Sequence, residues 1–521
     1  MQLYQWLTAI TSDRGSGKAL VYRDTYLSWR GLLHRVDRRA QELHAMGVTP
    51  GSWVGLMLGN VPDFVILSLA LSKIGAVVVP LDPTTGAREL EMILEAAPLR
   101  ALITRPRGGE VAPANTAAAL SVYHPGSGDP IRASGTTTRP AALVSKFVPE
   151  NRRRLQGTLL TCSLYRRTPA TAFNDAGAAV VQFTATIGGD PQGIVRTNAN
   201  LASLADIVGR TLDLKETDRV LCAMPLHQSY GFDMGLCPSL ALGSTLYLED
   251  EISPKRIAKL LREHSVDLLP GTPPLYGALM RVPTAKPLKL PNARYLSSGS
   301  PLPLMIAEGF HQRFGIRPLS LYHSTQTGPL AIDRGGKDPG SVGRPFHEVE
   351  VRVAAPSGSK LPAGTIGPIW GRSKALSMLS VPKIRMPTRG SDVGIGAADA
   401  DGWFRTGDLG VIDRAGKITI TGREDDLVKV DGKRMALGEV EGCLESFPRV
   451  KTARARVVTD DLGGPMVVAQ VVRAGSCNVE DLIDHCARNL APHKVPRQIE
   501  FCDALGSLAG EDPPQIRARN A

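Results

Sequence analysis

The chain has 521 residues, enough for two to four domains and a sizeable core. Hydrophobic residues make up 43% and charged residues 21%, ordinary values that exclude global disorder. A net charge of +11 and a pI near 9.4 indicate a basic surface, yet no aromatic-interleaved basic motif points to nucleic acid, so the charge suits an acidic partner or a phosphate-bearing ligand.

In chain order, residues 1–8 (M-Q-L-Y-Q-W-L-T) lack a basic segment followed by an apolar core, so no signal peptide is expected. Residues 19–26 read as a strand, 28–46 as an amphipathic helix and 53–57 as a strand. The most apolar run, 64–81, contains Lys73, Gly75 and Pro80. It reads as a core helix (62–74) feeding a buried strand (76–79), not as a membrane span. This alternation predicts a doubly wound parallel sheet. From 105 to 177 the pattern dissolves into Pro, Gly, Ala, Thr and Arg and reads as loop and irregular surface; it resumes at Ala178. Residues 382–402 form a polar connector. Beyond Gly422 a helix (435–447), paired strands (453–459 and 465–472) and a second helix (479–489) read as a separate unit. The expected organisation is α/β: a large N-terminal domain of doubly wound sheets (1–421) and a small α+β C-terminal domain (422–521). The seven cysteines lack C-x-x-C spacing and read as buried thiols of a reducing, cytoplasmic setting, with Cys222 or Cys237 beside His227 as the weaker catalytic alternative.

Residues 403–409 read W-F-R-T-G-D-L, and 422–434 read G-R-E-D-D-L-V-K-V-D-G-K-R. Asp408 follows Gly407 and is expected at a backbone turn, its carboxylate projecting into a cleft where it would accept two hydrogen bonds from a ribose diol. Arg423 follows Gly422 and would close over the same sugar or a phosphate. The plainer reading is two polar hairpin turns joined by a strand at 417–421.

At these residues the chain resembles the adenylate-forming superfamily, which comprises acyl- and aryl-CoA synthetases, adenylation domains of peptide synthetases, and luciferases. The likeness runs along almost the whole chain: G-A-V-V-V-P-L-D at 75–82, L-S-S-G-S-P-L at 296–302, L-A-P-H-K-V-P at 490–496, and L-C-A-M-P-L-H-Q-S-Y-G-F at 221–232, which looks like a segment bordering an acyl pocket, with His227 or Gln228 in the place of its histidine. The resemblance implies two half-reactions. A carboxylate attacks ATP to give an acyl-adenylate and pyrophosphate; a pantetheine thiol then displaces AMP. It also implies a small domain that rotates between them about a hinge, matched here by Asp425, and a pantetheine channel at Gly432. His227, Asp425 and Gly432 are the catalytic candidates. Thr184, Gly189, Gly193, Tyr322, Thr325, Asp408, Arg423 and Lys429 would bind nucleotide or CoA. Tyr230, Phe232, Ser298, Gly299 and His323 would line an acyl pocket suited to a compact, aromatic acid.

Three departures stand against these matches. The family's phosphate loop reads T-S-G-T-T-G-x-P-K-G; here 183–193 read F-T-A-T-I-G-G-D-P-Q-G, with Ala185, Ile187 and Gln192 for a serine, a threonine and the lysine. Asp190 adds a negative charge, which at ~8 Å and an effective dielectric near 20 costs about 2 kcal/mol against each phosphate charge. Gln326 replaces the glutamate that helps hold magnesium, a metal that prefers anionic oxygens. Gln515 falls on the C-terminal lysine that bridges carboxylate and phosphate; Arg517 or Arg519 would be a non-conservative substitute.

All three departures strike the step that handles triphosphate, and no protein metal site is expected. The sequence therefore favours an acyltransferase that passes an acyl group, already activated as a CoA thioester, to the phosphopantetheine of an acyl carrier protein. The alternatives are a divergent acyl- or aryl-CoA ligase using ATP and magnesium, with Arg196 or the C-terminal arginines supplying charge, and a non-catalytic binding protein.

Overall fold

The computed structural model describes residues 2–85, 87–104, 121–123, 163–166, 177–185, 191–283, 293–336, 338, 340–381, 396–424, 428–430, 433–435, 437–460 and 464–502. Asp425, Gly432, Gln515, Ile187, Gly189, Asp190, Arg517, Arg519 and Cys162 lie outside them, as does most of 105–177.

Two large mixed sheets dominate. One has nine strands, in the order Arg344–Pro345, Gly328–Ile332, Leu319–Ser324, Arg294–Ser297, Leu268–Gly271, Arg219–Cys222, Thr245–Leu248, Lys18–Tyr22 and Thr25–Ser28. Its central strands, from Leu319–Ser324 to Lys18–Tyr22, run parallel. The other has eight: Leu379–Val381, Pro191–Thr197, Ala178–Ala185, Val77–Pro80, Trp53–Met57, Leu99–Thr104, Ser163–Arg166 and Ser121–Tyr123. Parallel strands are covered on both faces and so read as unbroken apolar runs; every residue of Val77–Pro80 and Leu268–Gly271 is buried. Between the sheets lies helix Pro62–Ile74, apolar on all sides, started by Pro62 and stopped by Gly75 in the left-handed region at φ 80°.

A four-stranded antiparallel sheet follows (Glu350–Val353, Gly367–Arg372, Phe404–Ile412, Ile418–Arg423). The C-terminal unit has its own core, built on the sheet Val450–Thr459, Pro465–Arg473 and Gln498–Cys502 with helices Leu437–Glu445 and Val479–Asn489.

Residues 19–26, read as one strand, are a hairpin. Arg23 takes the left-handed region at φ 53°, and the turn is fastened by the Tyr22 hydroxyl donating to Asp250 at 2.7 Å. In 121–123 and 163–166, within the segment read as irregular, short strands extend the eight-stranded sheet.

Candidate active site

A cleft opens where the C-terminal ends of parallel strands from both large sheets meet the C-terminal unit. It is walled by apolar Leu81, Ile93, Phe183 and Met224 and by a polar majority. Thr184, His227, Tyr230, Ser298, Gly299, His323 and Thr325, all singled out from sequence, converge there. Such a position at strand C-termini is where open α/β sheets bind ligands.

His227 and Gln228 are carried on the loop after Arg219–Cys222, stitched down by Asn60. That side chain donates to the carbonyls of Cys222 (3.2 Å) and Met224 (2.8 Å) and accepts from the Leu226 N–H (2.7 Å). The next residues pass through one wide π turn, Phe232–Leu236, a geometry that recurs at functional sites. It directs Asp233 inward. Asp233 accepts from Arg196 Nη1 at 2.9 Å and pairs with His323 Nε2 at 2.8 Å, while Arg196 Nη2 donates to the Thr325 carbonyl at 2.6 Å. Both Arg196 and Asp233 side chains are 0% exposed. This network underlies the cleft wall formed by His323 and Thr325. Arg196, considered from sequence as a source of charge for ligand, is instead committed to the core.

Three other expectations need correction. Asp408 is not at a turn. It lies inside the bulged strand Phe404–Ile412, paired in register with Arg423, because Gly407 at φ +79° lets the strand kink without ending. Its two oxygens accept from Tyr322 Oη (2.5 Å) and Arg423 Nη1 (2.6 Å), tying the nine-stranded sheet to the four-stranded one. These three residues form a cluster of their own and are not among the cleft walls. Phe232 sits in the main hydrophobic core at 0% exposure, not in an acyl pocket. Gly193 lies within strand Pro191–Thr197, its partners Phe183 on one side and Val381 on the other, so it does not cradle a ligand.

Gln192 is buried in the same strand opposite Thr184, and Gln326 is buried with its Oε1 making no hydrogen bond. Lys429 lies in the short strand Val428–Val430, and Ala185 ends strand Ala178–Ala185. Burial pushes the Cys222 thiol up to about 12 and Cys237 further in the same direction, which removes both as nucleophiles. As to magnesium, the cleft's one described carboxylate, Asp82, faces His227, and the nearby Gln326 oxygen is neutral, so the described donors do not suit a protein-held ion.

Asp82 and Lys494 are two of the cleft residues that motif reading left without a role. Each sits inside a quoted segment, P-L-D and H-K-V-P, whose sequence says nothing of which distant residue it faces.

Residues 11–379 match the family model "AMP-binding enzyme", and residues 439–507 match "AMP-binding enzyme C-terminal domain". The chain belongs to the AMP-binding enzyme family. It is thus an adenylate-forming, acyl-CoA ligase-like enzyme. It is 28% identical over 504 residues to a feruloyl-CoA synthase of Amycolatopsis sp, covering 95% of this chain and 92% of that one. It is 26% identical to the medium-chain fatty-acid–CoA ligase of Escherichia coli K12, covering 92% and 82%. Among solved structures, a malonyl-CoA ligase with methylmalonyl-CoA and AMP bound superposes with a TM-score of 0.72 at 25% identity, covering 95% of this chain and 97% of that one. The amide bond synthetase McbA from Marinactinospora thermotolerans shares the fold, with a TM-score of 0.76 at 24% identity over 99% and 98%. Among the described residues of this family member, no helix is long and apolar enough to cross a membrane.

Proposed function

We propose that this enzyme is an ATP-dependent ligase that joins a carboxylic acid to CoA through an acyl-adenylate. One observation carries the reading. Thr184, Ser298, Thr325 and Lys494 line a single cleft, in a chain similar along nearly its full length to a feruloyl-CoA synthase and a fatty-acid–CoA ligase. Hydroxyls donate to phosphate and carboxylate oxygens, and a cation lowers the cost of bringing the two anions together. Tyr230 and His323, whose ring centroids lie 5.6 Å apart, would bound the acyl group and favour a compact acid. Magnesium would arrive with the triphosphate, held mainly by phosphate and water.

Transfer of a pre-activated acyl group from CoA to a carrier-protein pantetheine becomes the second reading. What favours it is the neutrality of Gln192 and Gln326, each replacing a charge the family uses. It yields because the two curated relatives above are named a feruloyl-CoA synthase and a fatty-acid–CoA ligase.

The deciding experiment supplies MgATP, CoA and a panel of acids (benzoate, ferulate, octanoate, malonate), and follows AMP release and acyl-CoA formation. Acid-dependent AMP and acyl-CoA in equal amounts is the expected result. No AMP with any acid, together with transfer from an acyl-CoA to a phosphopantetheinylated carrier, would replace the ligase with the second reading.

A further inference from the structure

The sheet of the C-terminal unit has one long outer strand. Val450–Thr459, ten residues, pairs antiparallel with Pro465–Arg473 along its length, and no other described strand lies beyond it. In an antiparallel pair, every second residue turns its backbone N–H and C=O away from the neighbour. An edge of this length is therefore a template for one more strand.

Here the template is already filled by side chains. Helix Leu437–Glu445 packs against the strand. Its Glu441 Oε1 accepts from the Ala455 N–H at 2.9 Å, and its Glu445 Oε1 accepts from the Ala453 N–H at 3.0 Å and from the Thr452 hydroxyl at 2.8 Å. Ala453 and Ala455 turn their methyl groups into the core of the unit, so it is their outward backbone that the two carboxylates meet. The spacings match. Four helical residues rise about 6 Å and two strand residues span about 6.8 Å, so glutamates one turn apart reach successive free N–H groups.

Charge acts in the same sense. The strand reads V-K-T-A-R-A-R-V-V-T, with three cations and no anion. A second copy of the strand, paired antiparallel about Ala455, would set Arg454 of each copy against Arg456 of the other, and like charges directly opposite are destabilising.

We infer that the free edge of Val450–Thr459 is a latent pairing surface for a second copy of this chain, and that Glu441 and Glu445 hold it shut. Every molecule carries the same edge, and two-fold antiparallel pairing is self-complementary, so a second copy is the partner that an opened edge meets. The carboxylates occupy the N–H groups that such a pair would use, and Arg454 and Arg456 add a weaker, salt-sensitive barrier. The inference stands apart from the cleft and from the ligase reading.

Sedimentation velocity on the full-length chain tests it. Four proteins are compared: wild type, Glu441→Gln/Glu445→Gln, Glu441→Leu/Glu445→Leu, and the leucine pair with Ala455→Pro added. Glutamine keeps an acceptor oxygen and leucine does not. Proline removes the central N–H and is tolerated on the outward side of an edge strand. The glutamine pair is expected to match wild type at every concentration. The leucine pair is expected to gain a concentration-dependent species of twice the wild-type mass, favoured by salt, and Ala455→Pro is expected to remove it.

Circular dichroism checks that each variant is folded; if the leucine pair is not, Glu441→Ala/Glu445→Ala takes its place and is read in the same way. A folded pair without acceptors that sediments as wild type at every concentration overturns the inference. So does association that Ala455→Pro leaves intact, since sticking between new apolar side chains needs no backbone N–H.

Discussion

The buried Arg196–Asp233 pair offers a prediction that can be worked in numbers. Removing one partner of a fully buried pair typically costs about 3–5 kcal/mol, because the other charge stays buried; replacing both with apolar groups is often near neutral. In Asp233→Leu the guanidinium keeps the Thr325 carbonyl but loses its counter-charge, and the His323 Nε2 loses its 2.8 Å partner. That adds roughly 1 kcal/mol for a lost hydrogen bond, giving about 5 kcal/mol in all. In Arg196→Met, Asp233 retains its 2.8 Å contact with His323 Nε2, so the low end of the range, about 3 kcal/mol, applies. The two single losses would sum to about 8 kcal/mol. The double variant leaves only His323 Nε2 and the Thr325 carbonyl short of a partner, worth roughly 2–3 kcal/mol. The cycle should therefore show a coupling of several kcal/mol. Urea unfolding followed by tryptophan fluorescence measures it; all five tryptophans precede Arg423, so the signal leaves out the C-terminal unit, whose separate core need not unfold in the same step. Single losses that simply add, within about 0.5 kcal/mol, would refute the pairing.

Two further outcomes follow from the geometry. Gly231→Ala would bring a Cβ to 2.4 Å from the Pro225 carbonyl oxygen, so the loop bearing His227 and Gln228 must shift; thermal denaturation should show a loss of ~1–3 kcal/mol, and acyl-CoA formation should fall more than Gly209→Ala lowers it. The Cys222 thiol, raised to about 12 by burial, stays protonated in the fold at pH 8, so iodoacetamide should label half-buried Cys502 well before Cys222. The same shift has a stability sign: the folded value lies above the unfolded one of about 8.5, so the stabilisation from keeping this thiol neutral is complete below that pH and declines as pH rises past it.

Local pattern carried the elements with strong periodicity or clear punctuation. Helices Pro62–Ile74 and Val479–Asn489 have the bounds the sequence implies, the first because Pro62 and Gly75 mark its ends, the second because Asn478 caps it and its side chain accepts from the Asp481 N–H at 2.7 Å. The hairpin at Tyr22–Thr25 was illegible because Arg23 is not a residue that usually marks a left-handed turn; the fastening contact, Asp250, lies more than two hundred positions away. Gly407 suggested a turn before Asp408, since glycine at positive φ ends many strands, but here it sits in a bulge and the strand continues. The site was legible as motif and not as geometry. His227, Thr184, Ser298 and Thr325 were named from segments resembling a family, whereas Asp82 facing His227 and Asp233 beneath His323 depend on how two sheets pack. Phe232 was misplaced for the same reason: one π turn decides which side chains after Gly231 point outward.

A cleft that takes Lys494 from the last-made unit has a history during synthesis. The two large sheets and the four-stranded sheet end at Arg423, and the chain must grow by a further ~70 residues before Lys494 exists. At the usual ~5–20 residues per second of translation, that interval is on the order of 4–14 s. For those seconds the nascent protein carries Thr184, His227 and Thr325 in a cleft with one wall missing, open to solvent and without its ammonium. The cleft should therefore be complete only once the C-terminal unit has emerged and folded, so a released chain ending near residue 424 should leave the cleft residues Thr184, His227 and Thr325 more exposed to solvent than the full-length protein does.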